Sequence, residues 1–188
     1  MADNNFPNSR GVLEKIANGE GPWLNPQSDG TPSGDSRSRA AQFFDQQYDP
    51  VLKIALKRNV DPALLLALAA HESTYGTSPM YRDRMNPVGA TPGGDGTPGL
   101  KYPSYDAAWA DWDRMWGPRI QDVGSDGQEF IHNLLEDNQQ IPGVDSRGPY
   151  NTQVAPAGDP RWSDKMSNMI RDVRNKLPQW QGNLDSYP

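Results

Sequence analysis

The sequence predicts a mainly α fold. Apolar residues recur at helical spacing in segments separated by proline and glycine, three of these segments open on helix start signals, and the alternating pattern of half-buried strands hardly appears. The 188 residues carry 18 Lys and Arg against 24 Asp and Glu, a net charge of −6, and no cysteine. The last fact excludes a disulfide scaffold, a cysteine nucleophile and a thiolate metal site. The acidic balance argues against bulk-charge attachment to nucleic acid or anionic lipid, both of which need a basic footprint. Gly and Pro number 18 each, short of the ~25–30% that marks wholesale disorder. One folded domain with long irregular connections is expected, since a chain this size buries about 68–70% of its unfolded surface.

Residues 1–39 are expected to form a polar N-terminal arm. From Asn18 to Arg39 only Trp23 and Leu24 are bulky and apolar, so the segment is a tail or an arm strapped down through Trp23. The domain proper is expected over residues 40–180, with a tail at 181–188. Helical spacing begins near Ala40 through Phe43, Phe44 and Tyr48, and resumes after Asp49-Pro50 through Val51, Leu52, Ile54 and Ala55. Asp61-Pro62 is a strong start: a carboxylate cap followed by a residue whose fixed φ and missing N–H suit the first helical position. Leu64 to Ala70 is apolar almost all round, the mark of a helix buried on most faces. Tyr75-Gly76 supplies its stop.

Five glycines and three prolines between Asn86 and Gly99 allow only a loop or small hairpin. Helix resumes at Ser104, with Trp109, Trp112 and Trp116 at core-like spacing. Asp126 and Glu129 form an Asp version of the capping box ahead of Phe130, Ile131 and Leu134. A last helix opens at Asp159-Pro160, carries Trp162, Met166, Met169, Ile170, Val173 and Leu177 on one stripe, and is expected to end at Pro178.

The residue with the most chemical promise is Glu72. Three, four and seven positions before it stand Ala69, Leu68 and Leu65, so its carboxyl projects from an apolar stripe. Desolvation raises a carboxyl pKa, and the negative end of the helix dipole disfavours the anion further. A carboxylic acid kept protonated near neutral pH is what a glycosidic oxygen needs as proton donor. The plainer reading is a solvated glutamate in the last turn of a helix.

The run LLALAAHESTYGTS (Leu65 to Ser78) resembles the helix-Glu-Ser-x-x-Gly-x-Ser segment of the lysozyme-like peptidoglycan endo-β-N-acetylglucosaminidases, the flagellar and autolysin type. MNPVGATPGGD (Met85 to Asp95) is similar to their Asn-Asn-x-Phe-Gly turn. LKYPSYDAAWADW (Leu100 to Trp112) is similar to their aromatic segment, and PYNTQVAPAGDPRWSDKMSNMI (Pro149 to Ile170) to the tyrosine segment before their final helix. Four pieces in the same order span Asp61 to Val173, about three-fifths of the chain. The resemblance implies a lysozyme-like helical domain with a small loop or β-hairpin lobe. It makes Glu72 the general acid and Tyr150 the tyrosine facing it, lets Asn86 shape the turn beneath the sugar, and lets Tyr105 line the groove. Two positions depart from the family: Met85 stands for the first Asn of the pair, and Val88 for the Phe.

In the family the second carboxylate comes from the lobe after the turn, and the only acid between Asn86 and Tyr102 here is Asp95. Asp95 either acts directly or merely turns the chain, and the substrate's own acetamido group is a third source of the nucleophile. Tyr75, Tyr81, Tyr102, Tyr105, Trp109 and Trp116 admit two readings, sugar platform or core; helix-spaced Trp109, Trp112 and Trp116 read more naturally as core, and Tyr75 and Tyr102, beside loops, are the better sugar platforms.

No cofactor or metal is expected. His71-Glu72 lacks the second histidine of a zinc helix, the glycine-rich loop lacks a phosphate-gripping Gly-Lys-Ser/Thr, and Asp111, Asp113 and Asp122 lack calcium-loop spacing. Neither a membrane span nor a secretory leader is read in the sequence. The expected partner is therefore the peptidoglycan glycan strand, reached from the cytoplasm through another machine or lysis. Two settings fit, an effector injected into the periplasm of a target bacterium, for which an immunity protein is implied, or a phage lysin. A muramidase or lytic transglycosylase using the same Glu72, and a non-catalytic glycan-binding part of a secretion or tail apparatus, are the rival readings.

Overall fold

The computed structural model describes residues 38–90, 99–135, 150 and 160–184; the expected arm with Trp23, the tip carrying Asp95, and Asp159 lie outside these. Helix α1 (Arg39–Arg58) starts where Ser38 Oγ accepts the Ala41 N–H at 3.2 Å. Its buried face runs from Phe43 and Phe44 through Tyr48 and Val51 to Ala55. The break expected at Asp49-Pro50 does not occur, because Pro50 lies inside the helix. One backbone N–H is forfeited there, and keeping the apolar residues on either side in register on one core outweighs it.

Helix α2 (Pro62–Ser73) begins as expected, Asp61 Oδ1 accepting the Ala63 N–H at 2.9 Å. Every side chain from Leu64 to Ala70 is 0% exposed, because α2 packs against both α1 and the long final helix α6 (Trp162–Leu184). Its stop comes two residues before Gly76, with Thr74 as a left-handed cap (φ 52°). A short helix α3 (Pro79–Arg84) follows. Helix α4 (Tyr105–Trp116) is capped by Ser104, buries Trp109, Trp112 and Trp116 as core residues, and continues into a 3-10 turn over Gly117–Ile120. Asp126 Oδ1 accepts the N–H groups of Gln128 and Glu129 at 2.8 and 3.0 Å and opens helix α5 (Gly127–Leu135). The described residues contain no strand, only an isolated bridge between Val60 and Gly124. No described helix is long and apolar enough to cross a membrane.

Two contacts lock the frame around α2. Buried Asp113 on α4 takes Lys57 Nζ and Arg58 Nε, both at 2.6 Å. Burial alone would raise its carboxyl, but the Arg58 and Lys57 bonds more than offset that and hold it below the usual carboxylate range. Gly117 makes the approach possible, since a Cβ there would lie 2.0 Å from Asp113 Oδ1. The second contact closes α6 on α1 through Trp180, whose indole N–H donates to Asp45 Oδ1 at 2.8 Å and whose ring lies 5.0 Å from Tyr48 and 5.8 Å from Phe44.

Trp180 also explains why the end expected at Pro178 is passed. Pro178 faces solvent, and the helix continues to bring Trp180 onto the core. Pro178→Ala therefore restores a backbone donor without removing a contact, and should stabilise the protein by about 1 kcal/mol, within the ~3 kcal/mol helix-interior cost of proline. Urea denaturation checks this; a lower midpoint in the variant contradicts an unbroken α6.

Candidate active site

The segment Glu72 to Ser78 reads in three dimensions as a device for ending α2 and aiming Glu72. Ser73 Oγ donates to Ala69 O at 2.6 Å and accepts the Gly76 N–H at 2.9 Å. Thr74, Tyr75 and Gly76 take successive positive φ values of 52°, 51° and 77°, reversing the chain within one turn. Ser78 then caps α3 by accepting the Tyr81 N–H at 3.2 Å. None of the three residues Ser73, Gly76 and Ser78 needs to meet a substrate for the motif to make physical sense.

Glu72 lies in the last turn of α2, partly exposed as a residue, with its carboxyl almost wholly buried. Beside it stand the Trp162 indole at the start of α6 and Tyr150, whose phenol feels the Glu72 charge. The turn after α3 supplies Gly89, where a Cβ would stand 3.3 Å from Glu72 Oε2 and where φ is +68°. Burial raises Glu72 to about 7, against which the nearby Trp162 indole acts. A carboxyl that is protonated near neutrality can serve as a proton donor.

Asn86 holds the turn rather than presenting a free amide. It is 1% exposed, its Nδ2 donates to Ala90 O at 2.7 Å and Leu100 O at 3.1 Å, and its Oδ1 accepts the Ala90 N–H at 3.0 Å. Both amide hydrogens are thereby used to close the base of the loop. Val88 is buried, and its carbonyl accepts the Tyr150 hydroxyl at 3.2 Å. The other departure from the family pattern, Met85, is the left-handed cap of α3 and stays 40% exposed.

Tyr150 is held on both sides by rings, Trp116 at 4.9 Å and Trp162 at 5.7 Å. Trp112 Nε1 approaches its hydroxyl without closing a hydrogen bond of good geometry. Burial, and after it the charge of Glu72, raises the phenol well above its ordinary range. Tyr150 therefore stays a neutral phenol whose proton is engaged by Val88 O.

Other expected site residues face elsewhere. Tyr75 donates to Asp172 Oδ2 at 2.8 Å beneath Lys176, whose Nζ lies 4.7 Å from the ring. Asp172 is ten residues beyond Trp162 on α6, or ~15 Å along a helix axis. Tyr102 donates to Asp111 Oδ2 at 2.7 Å. Tyr105 packs on Tyr81 with centroids 4.8 Å apart. Thus Glu72, Tyr150 and the Asn86 turn come together, Tyr75 is engaged along α6, and Tyr102 and Tyr105 lie on the α3–α4 side. Asp95 lies outside the described residues.

The sequence does not mark Trp162 or Gly89 as site residues. Its pattern places Trp162 only in the apolar stripe of the last helix; the one hint it offers is that an indole buried at a helix start needs a partner for its N–H. Among the described residues no group of three or more His, Asp or Glu converges as a metal site.

No protein-family model matches the chain, and neither does any curated protein. Solved structures do resemble it. A peptidoglycan hydrolase from Sphingomonas sp. A1 is 24% identical with a TM-score of 0.55, covering 74% of this chain and 94% of that one. A type VI secretion system effector–immunity complex from Pseudomonas protegens contains a chain 19% identical with a TM-score of 0.54, over 74% of this chain and 94% of that one. The catalytic domain of the autolysin Auto from Listeria monocytogenes is 14% identical with a TM-score of 0.50, over 93% of this chain and 98% of that one. At these identities the likeness is one of fold: the chain carries the lysozyme-like helical architecture of these proteins.

Proposed function

We propose that the chain is a peptidoglycan hydrolase that cleaves the β-1,4 glycan backbone as an endo-β-N-acetylglucosaminidase, with Glu72 as general acid. The observation that carries this reading is the Glu72 carboxyl, raised by burial to about 7, on a residue that itself keeps partial exposure. The shared fold supports the substrate class, since two of the similar structures are named as a peptidoglycan hydrolase and an autolysin. Glu72 gives its proton to the glycosidic oxygen as the C–O bond breaks, and positive charge develops on the sugar ring.

The nucleophile is not Tyr150. A phenol held neutral by burial, with its proton on Val88 O, is a poor base for water; its fitting role is to hold the turn against the cleft. Asp95 or the substrate's acetamido group remains for the opposite face of the sugar. Tyr75, Tyr102 and Tyr105 reach substrate only outside the immediate surroundings of Glu72. The likeness to a chain of a type VI effector–immunity complex supports reading this chain as an antibacterial effector, injected into the periplasm of a neighbour, whose immunity protein would block the Glu72 cleft.

Glu72→Gln should remain folded and lose activity on purified sacculi by about 10²–10⁴-fold, the range general acid catalysis supplies. Mass spectrometry of the digest reads both rate and bond: reducing-end N-acetylglucosamine is expected, reducing-end N-acetylmuramic acid would make the enzyme a muramidase, and a 1,6-anhydro ring a lytic transglycosylase. Undiminished turnover by the folded variant, or binding of wild type to sacculi with no product at all, contradicts the reading.

Because the acid must carry its proton, the rate should fall as pH rises through about 7. Stability follows the same group with its own sign. The folded carboxyl binds its proton more tightly than the unfolded one, so the folded state loses stability from about pH 4.5 up to about pH 7. Glu72→Gln should therefore be the more stable protein above pH 7, by a few kcal/mol, since each pH unit across that interval is worth ~1.4 kcal/mol, with the difference shrinking toward pH 4. Denaturant titrations of both proteins at three pH values check it; a constant difference contradicts a buried acid.

A further inference from the structure

Gly89 differs from the other described glycines in what a side chain there would touch. At Gly76 a Cβ would meet the Tyr81 ring at 3.0 Å, and at Gly99 the Met80 side chain at 2.6 Å, so those positions are bare because packed residues fill the space. At Gly89 the only described heavy atom within 4 Å of that Cβ is Glu72 Oε2, at 3.3 Å. Gly89 and Ala90 are the partly exposed residues of the turn, whereas Asn86, Pro87 and Val88 are buried. The gap beside Oε2 therefore lies on the side of the turn that reaches solvent, and it borders a carboxyl that is otherwise almost wholly buried.

The turn is held in place and cannot retreat from the acid. Asn86 bonds Ala90 through both ends of its amide, Leu100 N–H donates to Ala90 O at 2.9 Å, and Val88 O accepts the Tyr150 hydroxyl at 3.2 Å. A side chain at position 89 would thus take its room from the space in front of Glu72.

We propose that the bare α-carbon of Gly89 is the substrate's way in to Glu72 Oε2, and that the reacting glycosidic linkage sits where a side chain at position 89 would stand. This rests on the reading of Glu72 as general acid. An oxygen that takes the acid proton must come within about 2.6–3.2 Å of a carboxyl oxygen. A Cβ standing 3.3 Å from Oε2 fills that approach. Oε2 is then the oxygen that meets the glycan, and Gly89 is a specificity-determining position that contributes space as well as backbone freedom.

Strain and space rank substitutions at Gly89 in opposite orders, and the test uses that. At φ +68° alanine is strained, whereas asparagine tolerates the left-handed region and is the larger side chain. Gly124, at φ +64° with nothing within 4 Å of its Cβ, is the matched control for strain with no acid beside it. Denaturant midpoints should rank Asn above Ala at both positions. On purified sacculi kcat/KM should rank the other way at position 89, falling about tenfold in Gly89→Ala, the scale of one misfitting methylene, and further in Gly89→Asn. Gly124→Ala and Gly124→Asn should keep the wild-type rate.

A Gly89→Asn enzyme as active as Gly89→Ala, or more so, overturns the proposal, because strain is then the cause. So do Gly89 variants at full activity, and so do equal losses at Gly124. Should Gly89→Ala not fold, Gly89→Asn against Gly124→Asn decides. Binding separates the proposal from the catalytic reading. A peptide-free oligosaccharide of the glycan backbone, titrated by calorimetry into Glu72→Gln and into Glu72→Gln/Gly89→Asn, should bind the double variant about tenfold more weakly or worse. That loss, in a protein whose wild type leaves sacculi uncut, upholds the opening as a glycan site and sinks the acid. Equal affinity in the two, with wild-type cleavage intact, overturns the opening and leaves the acid standing. Where Glu72→Gln does not bind the oligosaccharide, the activity ranking decides, and a wild type that neither cuts nor binds overturns both.

Discussion

A carboxyl group at the end of a helix that has no polar face is the constraint on which the rest depends. From Leu64 to Ala70 helix α2 is shut off from water on every side by α1 and α6. It emerges from the core only in its last turn, and Glu72 sits at that point. The dipole of α2 adds its negative end to the desolvation, so two physical effects disfavour the anion and none of the described side chains brings a cation to oppose them. A proton donor at neutral pH follows from where the helix ends.

The surroundings are arranged to keep that group from being hydrated. Asn86 closes the base of its loop with three hydrogen bonds, which fixes the backbone of the turn so that Gly89 lies against Glu72 with no side chain between them. Across from it, Trp116, Tyr150 and Trp162 form an unbroken run of ring contacts. Rings exclude water while offering donors at chosen points, here the Tyr150 hydroxyl to Val88 O. The frame behind them is set by the Asp113 cluster and by Trp180, both remote from Glu72.

Much of this is legible in the sequence because it is local. Asp61-Pro62, Ser104 and Asp126 announce helix starts whose caps need only the next two or three residues. The Glu-Ser-x-x-Gly-x-Ser run announces a sharp reversal whose hydrogen bonds stay within the run. What escapes the sequence is non-local. Pro50 and Pro178 read as breaks, since local chemistry penalises proline in a helix, yet each is overridden by apolar residues beyond it that reach the core. Tyr75 reads as a groove residue beside a loop, whereas its partners Asp172 and Lys176 stand about a hundred positions away in the chain. Trp162 reads as core for the same reason, because its ring contact with His71 beside Glu72 joins two helices far apart in sequence.

The central claim is that burial, not a neighbouring charge, keeps Glu72 protonated, and a direct titration tests it best. With ¹³C-labelled glutamate, the side-chain carboxyl resonance of Glu72 in the folded wild-type protein should shift with a midpoint of about 7. A Glu72 midpoint close to the ordinary glutamate value of about 4.3 would leave the site without an acid at neutral pH and contradict the account.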